Sequence, residues 1–540
     1  MTGTWRLVRL ALRRDRVVLP VWIAAVAGLA WATVRSYVQL TQTEADRLAT
    51  AALTATNPLS RVFDGPASGP SLGAMAMVDG YKILAILTAL MAAQAVVRHS
   101  RREEESGRAE LVGSAAVGRR AGLAAAVVVG LAASSLVGVG VGLAVGATGV
   151  GWPGAWAAGM AVAGAGWVFA GLAAVSSQVF ATGRAATGAA AGALGVAFVL
   201  RAVGDLTGRV APDGLSVVSA WPSWLSPLGW GQQVRPYFQD RWWIAGLFSG
   251  TTALLVALAA HLRGRRDLGT GMVAPPRGPA RGPAGLLSTL GLTWRLQRGV
   301  LAVWVAAMTT MGAVFGSIGR TFADYIAENQ AMRAMLETIA PGAQPLDLYQ
   351  AFLMAFLGVA GTGYTVQALL RARSEEAEGR LEPVLATAVG RTTWLATHLL
   401  VVGVGSALVL CATGLAGGLT YGALTGDWSQ AFGGIMAASA VQVPAALALG
   451  GLVVAVLGLA PRLTSAVAWF ALAAALVMGQ LGQLLELPQW LLDVSPFTHV
   501  PAVPAEPFAV APLLWLGATA AVLGVLGVAA FRRRDLAGTA

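Results

Sequence analysis

Arg101 to Arg120 reads RREEESGRAELVGSAAVGRR, and Arg373 to Arg391 reads RSEEAEGRLEPVLATAVGR. In both stretches paired glutamates precede Gly-Arg-x-Glu, and Val-Gly-Arg follows at the same distance. Gly107, Arg108, Glu110, Val117, Gly118 and Arg119 match Gly379, Arg380, Glu382, Val389, Gly390 and Arg391 at one constant offset. The charged phrase is thus written twice in an otherwise greasy chain. Of 540 residues, 56% are hydrophobic and 12% charged, with a mean hydropathy of +0.67. That is too apolar for a soluble multidomain enzyme and predicts an all-α polytopic membrane protein.

A hydrocarbon core about 30 Å thick asks for roughly 20 apolar residues per helix. Between charged or Pro/Gly-rich punctuation the sequence supplies such runs near 17–35, 76–97, 121–146, 153–180, 185–203 and 241–262. Six more follow near 299–319, 350–370, 392–422, 431–459, 463–484 and 508–531. The first run, Val17 to Val34, is too long for the apolar core of a signal peptide and is expected to be a span. With the N-terminus cytoplasmic, the inner segments are 1–17, 98–120, the turn at Arg184, 262–299, 371–391, the turn at Arg462, and the tail. They hold most of the 37 basic residues, so the positive-inside rule predicts that both termini are cytoplasmic.

The duplication reaches beyond the charged phrase. Trp5-Arg-Leu-Val-Arg9 returns as Trp294-Arg-Leu-Gln-Arg298, each just before the first of six spans. Asp79-Gly-Tyr81 parallels Asp347-Leu-Tyr349, and Gln94 to Arg98 parallels Gln367 to Arg371. Ser226-Pro227 and Ser495-Pro496 occupy the last outer loop of each half, and Arg-Arg-Asp-Leu closes both halves, from Arg265 and from Arg533. Six is even, so the two halves, 1–268 and 289–540, are parallel repeats. The Pro/Gly/Arg-rich stretch 269–288 reads as a cytoplasmic linker. On a helical projection Arg6, Arg9, Arg13 and Arg16 lie opposite Trp5, Val8, Ala11 and Leu12, which predicts an interfacial amphipathic helix ahead of each half. Its repeated positions are Trp5, Arg6, Arg9 and Trp294, Arg295, Arg298.

No motif in the chain supplies energy. A phosphate-binding P-loop needs a lysine after its glycines, and the sole lysine, Lys82, sits at an outer boundary. The 26 acidic residues fall in loops or near span ends, which removes the usual proton-relay candidates. The single cysteine, Cys411, excludes an intrachain disulfide. His99, His261, His398 and His499 make no metal spacing. No catalytic, cofactor-binding or metal residues are assigned. Gln94, Gln178, Gln367, Gln442 and Gln480 are polar residues in apolar spans, and interhelical hydrogen bonding accounts for them as well as a substrate path does. Gly138, Gly142 and Gly146, four apart, are expected at a close helix–helix contact. Trp221, Trp224, Trp242 and Trp243 fit an outer aromatic belt.

The charged phrase falls on the inner side, between the second and third spans of each half. Glu104 and Arg108 are four residues apart, as are Glu376 and Arg380, the spacing of a helical ion pair. Solvating a loop needs charge but not twice the same order of Gly, Arg and Glu. Two copies on one face suggest a partner with two equivalent docking sites.

Glu-Glu-x-x-Gly-Arg-x-Glu followed by small residues and Val-Gly-Arg resembles the first cytoplasmic loop of ABC type-2 (type V) exporter permeases. Two fused halves resemble in particular the actinobacterial antibiotic exporters of the tetronasin-resistance type. Members commonly carry a proline where this chain has Ala116 and Ala388. The outer loops near 206–240 and 485–507 resemble the short re-entrant helices of that family. The resemblance implies an exporter permease, without an ATPase site of its own, in a bacterial plasma membrane. It implies two copies of a separate nucleotide-binding ABC ATPase, which would hold ATP and Mg²⁺ and dock on the loops at 98–120 and 371–391. The loop residues it points to are Glu103, Glu104, Arg108, Glu110, Glu375, Glu376, Arg380 and Glu382. The substrate would be a small hydrophobic, drug- or antibiotic-like molecule, with no role for nucleic acid. A proton-coupled secondary transporter of the major facilitator kind is the main alternative, and a non-transporting membrane enzyme or scaffold the second.

Overall fold

The computed structural model describes residues 2–41, 43–273, 282–328, 344–481 and 488–535. Among them, eleven helices are long and apolar enough to cross a membrane. The chain divides into two units, Met1–Gly278 and Pro279–Ala540. Of the stretch read as a linker, 274–281 lies outside the described residues. Its first residues are not free, because the Met272 and Val273 amides donate to the Gln178 and Val179 carbonyls.

In the first unit the spans are Val18–Leu40, Leu72–Arg98, Ala121–Gly146, Trp152–Val179, Gly183–Leu206 and Ile244–Arg265. The second and fourth are the most enclosed, and Leu84, Val137, Val162, Phe169 and Phe248 join one core. Small residues set how closely these helices approach. A Cβ on Gly138 would lie 2.6 Å from the Gly159 carbonyl oxygen, while Gly142 and Gly146 receive the Trp156 and Trp152 rings. The glycine run is therefore a packing seam, as its spacing predicts.

Outside the spans the first unit carries structure that apolar runs do not announce. Helix Glu44–Thr56 begins with a capping box in which the Thr43 hydroxyl and the Asp46 carboxylate each accept a backbone N–H. Between the fifth and sixth spans come a short hairpin pairing Arg209–Val210 with Val217–Val218, the turn Trp221–Leu225, and the helix Pro227–Gln233. The Ser226 hydroxyl caps that helix by accepting from the Gly229 amide, and donates to the Ala197 carbonyl at 2.6 Å. Ser495 plays the same capping part before Pro496–His499. Trp221, Trp242 and Trp243 are exposed, and Trp224 stacks on Trp243.

The second unit contains Thr289–Glu328, Pro345–Ala377, Arg391–Thr425, Val443–Leu459, Thr464–Leu481 and Val510–Arg533. Thr464–Leu481 is shorter than the run expected near 463–484, and 482–487 lie outside the described residues. The run near 431–459 is not one straight helix. It opens as a π-helix, Gln430–Met436, passes through Ala437–Ala440 and turns at Val441 and Gln442. Pro444 lacks the N–H that would bond the Ala440 carbonyl, so the ladder is interrupted there.

The repeated amphipathic segment, expected as a separate helix ahead of each half, is one only in the first unit. In the first unit the amphipathic segment is a separate helix, Thr4–Arg14, divided from its span by a turn at 15–17. In the second unit Trp294, Arg295 and Arg298 lie on Thr289–Glu328, which runs unbroken into the span. Pro20 removes the amide that would bond the Arg16 carbonyl. The second copy carries Thr309 at that position and loses no bond.

Candidate loop and clasp site

The two charged loops are built from the same parts. In the first, the second span ends at Arg98 and gives way to two short helices, Arg101–Glu105 and Arg108–Gly113. Gly107 separates them with φ +73°, a left-handed conformation that glycine adopts without a Cβ clash. In the second loop, Gly379 has φ +70° between the end of Pro345–Ala377 and the short helix Leu381–Leu385.

These glycine breaks overturn the expected ion pairs Glu104–Arg108 and Glu376–Arg380, because residues four apart share a face only on a continuous helix. Arg108 lies instead 3.6 Å from Glu103. Arg380 meets Glu375 at 3.3 Å and also pairs with Glu378. Desolvation works against the Arg380 charge, but these two carboxylates outweigh it and raise its pKa above the usual arginine value.

Glu104 and Glu376 have other partners. The two Glu104 oxygens accept from the two terminal nitrogens of Arg266, both at 2.7 Å. The Glu376 oxygens accept from Arg534 at 2.6 and 2.7 Å. Each arginine belongs to the Arg-Arg-Asp-Leu motif just after the sixth span of its own unit. Fork-on-fork pairing of this kind is strong and orientation-specific.

Two further arginines repeat the lock. Arg101 is fully buried and donates to the Ser177 carbonyl at the end of the fourth span, and Arg373 donates to the Pro461 carbonyl just beyond the fourth span of its unit. Arg119 donates to the Arg266 carbonyl at 3.0 Å, and Arg391 to the Arg534 carbonyl at 2.7 Å. So the Val-Gly-Arg that ends the phrase holds the backbone of the arginine that its second glutamate holds by the side chain. The signal for these partners was in the sequence as repeated motifs, but nothing there joined one motif to the other.

In the first unit the glutamate run divides its work among three elements. Glu103 accepts from Arg14 of the interfacial helix at 2.8 Å, Glu104 takes Arg266, and Glu105 accepts the Gly183 amide that opens the fifth span. Gln178 joins the second of these, its side-chain oxygen accepting from Arg266 Nε at 2.9 Å. Asp15, buried, ties the same interfacial helix to the second span, accepting from Arg98 at 2.6 Å and meeting His99 Nε2 at 2.7 Å. Val8 and Ala11 are buried, whereas Trp5, Arg6 and Arg9 are exposed, as are Trp294, Arg295 and Arg298. A cavity of about 360 Å³ lies between helix, loop and third span, with Leu7, Leu10, Val112 and Val117 facing Arg14 and Arg263.

What the locks leave outward is a ridge in each copy. Arg108, Glu110 and Leu111 are exposed in the first, Leu111 by 77%, and Arg380, Glu382 and Pro383 in the second. Of the other polar candidates, Gln367 accepts from Trp304 Nε1 at 2.6 Å, Gln94 is exposed and Gln442 buried. The side chain of Gln480 lies outside the described ones. Among the described residues no group of His, Cys, Asp or Glu could hold a metal ion.

Comparison with known proteins agrees with this architecture. The family model for the C-terminal domain of the multidrug efflux system permease Rv1217c matches residues 286–532. The multidrug efflux system permease protein Rv1217c of Mycobacterium tuberculosis is 39% identical over 538 residues, covering 99% of this chain and 95% of that protein. The chain therefore belongs to the family of multidrug efflux system permeases that includes Rv1217c, and is a multi-pass membrane transport protein.

Proposed function

We propose that this permease is the membrane subunit of an ATP-driven ABC exporter that moves hydrophobic, drug-like molecules out of a bacterial cell. Both termini and both loops face the cytoplasm. A separate nucleotide-binding subunit, present in two copies, holds ATP and Mg²⁺ and docks on the ridges at Arg108–Leu111 and Arg380–Pro383. The observation that carries this reading is the repeated lock. The two copies of the charged loop are held by the same Glu–Arg clasp and the same pair of arginine-to-carbonyl bonds.

A loop that only had to stay in water would not need that rigidity. A loop that receives a push would, because force reaches a span only through contacts that do not slip. Closure of the ATPase pair presses on the ridge, the clasp carries the displacement to the sixth span, and Arg101 or Arg373 carries it to the fourth. Each unit then shifts between two arrangements whose relative population the nucleotide sets.

Efflux as the direction and drugs as the cargo follow the name of the Mycobacterium tuberculosis relative. Co-expression with a candidate soluble P-loop ATPase from the same genome tests the reading. The two proteins are expected to purify together, with ATP hydrolysis raised by the permease. A permease that purifies alone and transports without ATP would refute it.

A further inference from the structure

A groove of about 880 Å³ runs along the second unit between its third, fourth and sixth spans. Its walls are aliphatic, from Leu399, Val404, Leu447, Val454 and Val525. Glycines of these spans fall into two kinds. Gly458 and Gly527 press helix on helix, where a Cβ on Gly458 would lie 2.3 Å from the Gly527 carbonyl oxygen. Gly517 and Gly524 line the groove, and a Cβ on either would meet nothing within 4 Å. Glycine weakens a helix, and in spanning helices close packing usually compensates. Here no packing does so, and the missing side chains keep a trough open.

The trough ends at Arg532 and Arg533. Both are exposed, and among the described residues neither has a carboxylate within ion-pair distance, whereas the next residue, Arg534, is engaged by Glu376. In the first unit the position of Arg532 is Gly264, and the neighbouring Arg263 is buried 3.9 Å from Glu104. The first unit therefore keeps one exposed arginine at this point, Arg265, where the second has two cations free beside an apolar trough. Guanidinium groups match phosphate by bidentate bonding, and basic pockets between spans on the cytoplasmic side suit anionic head groups.

We propose that this groove binds an anionic phospholipid, with an acyl chain in the trough and the phosphate on Arg532 and Arg533. The site needs the spans and not the ATPase, so it stands or falls separately from the exporter reading. It would make the second unit the one that senses the charge of the surrounding leaflet.

Native mass spectrometry of the purified full chain, titrated with dioleoyl-phosphatidylglycerol or with dioleoyl-phosphatidylcholine, tests it. One phosphatidylglycerol is expected to bind roughly thirtyfold tighter than phosphatidylcholine, the effect of two arginines near an anionic head group. Arg532→Gln combined with Arg533→Gln should abolish that preference. Gly524→Leu, which fills the trough at a position with room for it, should remove the site for both lipids while circular dichroism stays unchanged. An unaltered preference in the double arginine variant would overturn the proposal, as would full binding in Gly524→Leu. Displacement of the lipid by an uncharged hydrophobic drug, with no dependence on the arginines, would mark a substrate pocket and equally overturn it.

Discussion

Glu376 and Arg534, 158 residues apart in sequence, meet through two parallel hydrogen bonds of 2.6 and 2.7 Å, and Glu104 meets Arg266 in the same way across 162 residues. The carboxylates are nearly enclosed, with side-chain exposures of 2% for Glu376 and 8% for Glu104. An enclosed pair is a poor source of net stability, because desolvating both ions offsets their attraction. Removing one partner is a different matter and costs about 3–5 kcal/mol, since the other charge is left buried and alone.

That cost should appear locally. Glu104→Gln is expected to leave the spans inserted but to speed amide hydrogen exchange across 101–113 by about a hundredfold, as a loss near 3 kcal/mol would allow. Exchange in the core of the third span should not change. Exchange rates equal to wild type in the loop would mean that the Arg101 bonds to the Ser177 carbonyl, and not the Glu104–Arg266 clasp, hold it.

The ridge makes the opposite prediction. Glu110 and Glu382 are exposed, and their replacement costs the fold little. Glu110→Lys combined with Glu382→Lys should leave thermal stability unchanged and weaken ATPase association about tenfold at low ionic strength, with the difference shrinking as salt rises. Binding measured by biolayer interferometry across a salt series checks it. Unchanged affinity at every salt concentration would remove the ridge from the interface.

Asp15 anchors the interfacial helix. Asp15→Asn keeps shape but removes the charge that faces Arg98 and His99. A cysteine placed at the half-buried Leu7 should then react with a water-soluble maleimide several times faster, because the helix lifts from the protein. The same probe in the second unit, at Leu296, should be insensitive to any such change, since that segment is continuous with its span.

The glycine seam is a test of packing alone. Gly138→Leu pushes a side chain against the Gly159 backbone and should lower the unfolding midpoint in detergent, by an amount corresponding to about 1–3 kcal/mol. Gly188→Leu, where a Cβ meets nothing within 4 Å, should not.

How much of this could be read beforehand depends on whether the information was local. Spans are local, because twenty apolar residues in a row carry their own meaning, and the Gly138–Gly146 seam is local because its four-residue spacing puts small surfaces on one face. The helix Glu44–Thr56 carried a local signal as well, Thr43-x-x-Asp46, which an eye set on apolar runs passes over. The pairing of the charged phrase was not local. Its i,i+4 spacing pointed to Arg108 and Arg380, while the actual partners stand 162 and 158 residues away. Gly107 and Gly379 decide between the two by turning left-handed, and a glycine in sequence does not declare its φ. Likewise Thr309 in place of Pro20 makes the second amphipathic segment part of a span, a difference that the matching Trp-Arg-Leu-x-Arg conceals.

The most direct test of the central claim is a double-mutant cycle on Glu376→Gln and Arg534→Gln, read as drug molecules exported per ATP hydrolysed in proteoliposomes holding permease and ATPase. If the clasp carries the stroke, each single variant hydrolyses ATP but exports little, and the double variant is no worse than either. Single variants that export at the wild-type ratio, or losses that multiply in the double variant, would contradict it.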